Sequence, residues 1–132
     1  MATILVVDDE PTIRVLVRAA FEQTGYRMLE AADGVSALET ARSERPDLIL
    51  LDIALPRLSG LEVCRQLKND PATADADILF LSGFAQEAER RAAQEAGGQG
   101  FITKPFSPAA LVTQVTQTLQ SHAPSPAAGS LR

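Results

Sequence analysis

Leu48-Ile49-Leu50-Leu51-Asp52-Ile53-Ala54-Leu55-Pro56-Arg57-Leu58-Ser59-Gly60 is the stretch on which the fold turns. Leu48–Leu51 is apolar without alternation, as a strand covered on both faces must be, and such strands belong to parallel sheets. The run stops on a carboxylate, Asp52, and the following loop exposes it. Ser59 then offers a hydroxyl cap to a helix carrying Leu61, Cys64 and Leu67, which Asn69-Asp70-Pro71 breaks. A buried strand delivering one acid to a loop before a helix is the βα unit of an α/β fold.

The same arrangement recurs on either side. Ile4–Val7 ends at Asp8-Asp9, Ile78–Leu81 at Ser82, and Phe101–Thr103 at Lys104-Pro105. The carboxyl ends of parallel strands face one crevice, where open α/β sheets place their chemistry. Between the strands lie helical patterns. Pro11 opens one with Ile13, Leu16, Val17, Ala20, Phe21 and Thr24 at helical spacing until Gly25. Arg27–Ala31, bearing Arg27 and Glu30, reads as an edge strand. A helix from about Gly34 to Glu44 places Val35, Leu38 and Ala41 inward.

Past a polar connection to Asp77, Ala85 to Ala96 reads as a fourth helix whose inward face is Ala85, Ala88, Ala92 and Ala96. Alanine buries little area, so this helix is expected to be the loosest element and to move when Asp52 is modified. Gly97-Gly98-Gln99-Gly100 ends it. Ser107-Pro108 opens the last helix with Leu111, Val115 and Leu119 inward, and residues 107–122 carry no Asp, Glu, Lys or Arg. Its face of Thr113, Gln114, Thr116, Gln117, Thr118 and Gln120 reads as a solvated surface before a docking one. The expected organisation is one domain over residues 1–121 and a Pro/Ala/Ser tail or linker over 122–132, with the lone His122 inert.

Asp8 or Asp9 alone would read as a cap or a solvated charge, Ser82 as a structural hydroxyl and Lys104 as a surface amine; the set overturns these readings. Three clustered carboxylates repel and favour a hard divalent cation bound through oxygen, magnesium first. That ion takes one or two carboxylates plus phosphate oxygens. This leaves Asp52, the best placed, as a nucleophile toward phosphorus, with Ser82 and Lys104 to hold the oxygens.

The set Asp8-Asp9, Asp52 followed by Leu-Pro-x-x-Ser-Gly, Ser82 and Lys104-Pro105 resembles the receiver domain of bacterial two-component response regulators, over about Thr3 to Gln120. The resemblance implies a doubly wound, five-stranded parallel sheet in the order 2-1-3-4-5 with five helices, a flavodoxin-like three-layer sandwich. It implies that Asp52 accepts a phosphoryl group from a phosphohistidine of a sensor histidine kinase or histidine phosphotransfer protein. Magnesium, or manganese in its place, would be held by Asp9, Asp52 and the Ala54 carbonyl, with Asp8 acting through water. Ser82 and Lys104 would grip the phosphoryl oxygens. Ser82 and Phe101 would be switch residues, although Phe101 reads equally as core. The Lys104-Pro105 bond would be cis. Ala54 and Phe84 would tune the phosphoryl lifetime, Phe84 by shielding it from water. The face of helix four, strand five and helix five would meet an output partner. Such a protein changes its own phosphorylation state and is not a conventional turnover enzyme.

Composition agrees with that class. The 132 residues are 45% hydrophobic, enough for one core. A net charge of −5 argues against direct nucleic-acid binding, and no run approaches a membrane span. Single Cys64 forms no internal disulfide and fits a buried position in a cytoplasmic protein, a monomer or weak homodimer. A magnesium phosphatase using an aspartyl phosphate would want an acid at position 54, which is Ala54, and a flavin module would want a phosphate loop where Asp8-Asp9-Glu10-Pro11 stands. Two other readings stay open: an N-terminal receiver fragment of a multidomain regulator, and a receiver-shaped interaction module that is never phosphorylated.

Overall fold

The computed structural model describes residues 2–83 and 86–122. Strands and helices alternate strictly: β1 (Thr3–Val7), α1 (Pro11–Ala20), β2 (Arg27–Ala31), α2 (Gly34–Glu44), β3 (Leu48–Asp52), α3 (Gly60–Lys68), β4 (Asp77–Ser82), α4 (Glu87–Glu95), β5 (Gly100–Thr103) and α5 (Pro108–His122). The five strands are parallel in the order β2-β1-β3-β4-β5, the doubly wound sheet expected from the sequence.

The side-chain alternation of the strands divides the core into two layers. Leu5, Val7, Ile49, Leu51, Ile78 and Phe80 face α2, α3 and α4, where Leu38, Val63, Leu67 and Ala93 meet them. Ile4, Val6, Leu48, Leu50, Leu79 and Leu81 face α1 and α5, packing on Val17, Phe21, Leu111 and Val115. Every residue of β3 and β4 is buried, which accounts for their unalternating sequences. Cys64 is buried with them; burial pushes its thiol up to about 11, so it behaves as a core side chain.

Caps fix several helix starts. The Asp33 carboxylate accepts from the Ser36 amide at 2.8 Å, and Ser59 Oγ from the Glu62 amide at 3.3 Å. At the start of α5, Ser107 Oγ accepts from the Ala110 amide at 3.3 Å. The Asp33 cap was not foreseen from sequence.

Three inward faces differ from expectation. Val35 is 60% exposed, because α2 turns Gly34, Ala37, Leu38 and Ala41 inward. A Cβ at Gly34 would lie 2.9 Å from Val63 Cγ2, so the glycine admits α3 and sets the rotation of α2. Leu16 is 47% exposed, lying one residue off the Ile13, Val17, Phe21 stripe. The helix also stops at Ala20, with Phe21–Thr24 in a turn and Gly25 at φ +82°. In α4 the buried alanines are Ala93 and Ala96, while Ala88 is exposed and Ala92 half-buried. Glu89, Ala93 and Ala96 follow one another at helical spacing, and on that side Glu89 accepts from Ser82 Oγ. The expected Ala85 contact and the shielding role of Phe84 lie outside the described residues, as do residues 123–132 of the expected 122–132 tail, whose first residue, His122, instead ends α5.

No described helix is long and apolar enough to cross a membrane.

Candidate functional site

Asp8 and Asp9 leave the end of β1, where the Asp8 amide donates to the Ala31 carbonyl at 3.2 Å and so keeps the turn in register with β2. Asp8 is fully buried, and its Oδ1 accepts from the Glu10 amide at 2.9 Å. Arg14, one turn into α1, donates from Nη1 to the Asp8 carbonyl at 2.6 Å and from Nε to Glu30 at 3.0 Å. Arg18 donates to the same Glu30 at 2.6 Å, and this contact chiefly holds the Glu30 carboxyl below its usual range. The basic pair of α1 thus fastens β1 and β2 beneath the site.

Asp52 is the last residue of β3 and is 4% exposed. Its Oδ1 accepts from the Ala54 amide at 3.1 Å. The Ile53 amide donates to the Leu81 carbonyl at 3.1 Å, continuing the β3–β4 pairing past Asp52. Gly60 closes the loop: its amide donates to Ile53 O at 2.9 Å, and a Cβ there would stand 2.1 Å from the Asp52 carbonyl oxygen. Only glycine permits that approach, so Gly60 fixes where the Asp52 backbone sits.

Carboxylate oxygens of Asp8, Asp9 and Asp52 lie within 4.8 Å of one another, two of the residues buried and Asp9 exposed. Into this cluster reaches Lys104, from the loop after β5, its amide held by the Ser82 carbonyl at 2.7 Å and its bond to Pro105 cis. Nζ stands 2.8 Å from Asp8 Oδ2, 3.6 Å from Asp52 Oδ2 and 4.0 Å from Glu10 Oε1. Burial raises the Asp52 carboxyl above its ordinary range and the Asp8 charge adds to this, with Lys104 and the Ala54 amide pulling against them. For Lys104, burial works against the ammonium. The Asp8 hydrogen bond and the Asp52 charge outweigh it and hold its pKa high.

One ammonium among three carboxylates leaves the cluster negative. All-oxygen donors at this spacing suit a hard divalent cation, with one exposed acid to admit it. Asp8, Asp9 and Asp52 are the groups that fit such an ion.

Ser82 ends β4 at 4% exposed, pairs in register with Thr103, and donates from Oγ to Glu89 Oε1 at 2.5 Å. Phe101 in β5 is half-buried against the α2–α4 layer, with the Arg90 guanidinium 4.7 Å from its ring centre. The fold therefore brings Asp8, Asp9, Asp52 and Lys104 together, sets Ser82 on the adjacent strand end, and leaves Phe101 on the far edge strand. Sequence reasoning missed Glu89, Arg90 and Arg14, which follow no strand end. It passed over the close approach of Gly60, although Ser59-Gly60 stood in the motif.

Against known proteins, a family profile described as "Response regulator receiver domain" matches residues 4–116. The phosphate regulon transcriptional regulatory protein PhoB of Pseudomonas aeruginosa is 42% identical over 122 residues, covering 92% of this chain and 53% of that protein. This chain spans about half the length of the curated relatives it matches. Among solved structures, the chemotaxis protein CheY4 of Vibrio cholerae superposes with a TM-score of 0.85 at 30% identity, over 89% of this chain and 98% of that one. The receiver domain of the sensor histidine kinase PA1611 of Pseudomonas aeruginosa, solved with a magnesium ion coordinated in its active site cleft, gives 0.83 at 29% identity, over 90% and 98%.

Proposed function

The chain belongs to the response regulator receiver domain family, and on that premise we propose that Asp52 accepts a phosphoryl group from a phosphohistidine of a sensor histidine kinase or histidine phosphotransfer protein. The observation that carries this is the buried Asp52 carboxylate, 3.6 Å from Lys104 Nζ and inside an acidic cluster that fits a divalent cation. A carboxylate oxygen of Asp52 attacks phosphorus in line, the phosphorus–nitrogen bond breaks, and the imidazole of the donor leaves with the bonding pair and takes up a proton. The product is an acyl phosphate.

Lys104 meets the phosphoryl oxygens as charge shifts onto them; its short contact to Asp8 aims it at that place in advance. Asp9 and Asp52 of the acidic cluster, with the Ala54 carbonyl, would hold magnesium, or manganese as substitute, and Asp8 would act through water. When bound there, the ion neutralises carboxylate repulsion and phosphoryl charge. Ser82 turns its hydroxyl to a phosphoryl oxygen, Phe101 moves inward, and the α4–β5–α5 face changes shape for an output partner. The protein modifies itself once per cycle, so it acts as a cytoplasmic signalling switch and not as a turnover enzyme.

One specific observation favours a second reading, in which this is the receiver portion of a longer regulator: relatives named as transcriptional regulators are about twice as long as the matched region. Any nucleic-acid contact would then lie outside these residues, whose net charge is −5. The proposal is tested with phosphoramidate, a small donor that also carries a phosphorus–nitrogen bond. The parent chain should gain one phosphoryl group in magnesium and none in excess chelator. Uptake by an Asp52→Asn variant at the parental rate would overturn it.

A further inference from the structure

Glu89 and Arg90 are consecutive residues in the first turn of α4, and each holds a different partner on the sheet. Glu89 Oε1 accepts the Ser82 hydroxyl at 2.5 Å, and the Arg90 guanidinium sits 4.7 Å over the Phe101 ring. The partners lie on adjacent strands, β4 and β5. Glu89 occupies the third position of its helix, where a glutamate ordinarily reaches back to the helix cap. Here the cap residue, Gln86, makes no side-chain hydrogen bond to the helix, and Glu89 is engaged by Ser82 instead. Below this turn only Ala93 and Ala96 of α4 are buried.

We propose that Glu89 is a positioning residue for Ser82 and, with Arg90, forms a latch that sets the threshold for the phosphorylated state. This rests on the reading that Asp52 is phosphorylated. A serine hydroxyl has a single proton to donate. Ser82 therefore cannot donate to Glu89 and to a phosphoryl oxygen at once, and a carboxylate beside an arriving phosphoryl group is repelled by it. Binding of Ser82 to the phosphoryl group must first break the Glu89 contact. That removes a polar anchor at the start of a helix whose buried side chains are Ala93 and, at its C-cap, Ala96, and the next residue along the chain is the one stacked on Phe101. Release of one hydrogen bond thus frees both sheet partners. Electrostatic cost and mechanical coupling reside in one pair of adjacent side chains.

The test compares the parent, Glu89→Ala, Glu89→Gln and Arg90→Ala, each alone and with Ser82→Ala, in magnesium and sub-saturating acyl phosphate. Glu89→Ala should be phosphorylated roughly three to ten times faster than the parent, as expected for losing one charge-assisted hydrogen bond from the competing state. Glu89→Gln, which keeps an acceptor without the charge, should fall between them. In the Ser82→Ala background the gain from Glu89→Ala should vanish, which a merely structural anchor would not produce. Hydrogen exchange in residues 87–95 of the unphosphorylated protein should rise in both Glu89→Ala and Arg90→Ala. A parental rate in Glu89→Ala, or a gain that persists without Ser82, overturns the latch. If the parent takes up no phosphoryl group, the reading of Asp52 fails while the latch is still judged: unchanged exchange in the two variants would sink it, and raised exchange supports it.

Discussion

Lys104 Nζ sits 2.8 Å from Asp8 Oδ2 and 3.6 Å from Asp52 Oδ2, so the lysine of the last strand end is moored to the first and aimed at the third. The mooring joins fully buried Asp8 to a lysine side chain only 16% exposed. Lys104→Met should therefore leave a buried carboxylate without its cation, at a cost of roughly 2–4 kcal/mol. Divalent cation affinity should rise, because a competing positive charge is gone, while phosphoryl uptake falls. The pKa of Lys104 is held above its ordinary 10.5, so the pair's contribution is complete below that pH and is lost as pH rises through the folded-state value. Denaturation curves of parent and variant should converge in that alkaline range; a constant gap would disprove the linkage.

Asp52 titrates in the opposite sense. Its folded carboxyl is raised above the usual 3.8 by burial and by Asp8, so ionising it costs stability. The penalty is absent below the unfolded value, grows as pH rises from there, and is complete above the folded one. Asp52→Asn in a metal-free buffer should melt higher than the parent at neutral pH and show no advantage below about pH 4. Magnesium should raise the melting temperature of the parent and narrow the gap. Equal melting temperatures at neutral pH would contradict the assignment.

Gly60 carries a steric prediction. A methyl group there would meet the Asp52 carbonyl oxygen at 2.1 Å, a backbone atom with no room to yield. Gly60→Ala should cost roughly 2–4 kcal/mol in urea denaturation and slow phosphoryl uptake by shifting Asp52. Gly83→Ala, where a Cβ meets nothing within 4 Å, is the control and should unfold near the parental midpoint.

The seat of α4 predicts its dynamics. α1 and its C-cap bury Val17 and Phe21, α5 buries Leu111 and Val115, and α4 and its C-cap bury Ala93 and Ala96. A buried Val, Leu or Phe side chain contributes about 1.5–3 kcal/mol, an alanine methyl a fraction of that. Amides of residues 87–95 should exchange at lower free energy than those of 11–20 or 108–119. Equal protection would remove the basis for treating α4 as the moving element.

The parts of this design carried by strand ends were open to sequence reading. Asp8, Asp52, Ser82 and Lys104 each terminate an apolar run, and a parallel sheet converts that repeated position into proximity. Helix rotation was less legible. Val35 is as apolar as Leu38, yet it faces solvent because Gly34 must pass α3 closely, a constraint set by a residue 29 positions away in Val63. The α4 face failed because an alanine pattern is ambiguous, and the buried side carries Glu89, whose partner Ser82 lies on another element. Arg14 was hidden likewise, since its partners Asp8 and Glu30 come from separate strands. Local spacing reveals what one element presents. It does not reveal which of several charges a neighbouring element will capture.

The central claim concerns one carboxylate, and reductive trapping reads it directly. After incubation with magnesium and an acyl-phosphate donor, borohydride converts an aspartyl phosphate to homoserine, which peptide mass spectrometry can place. Homoserine should appear at position 52 alone, dependent on the metal. Homoserine at position 8 or 9, or none at 52 while magnesium is shown to bind, would contradict it.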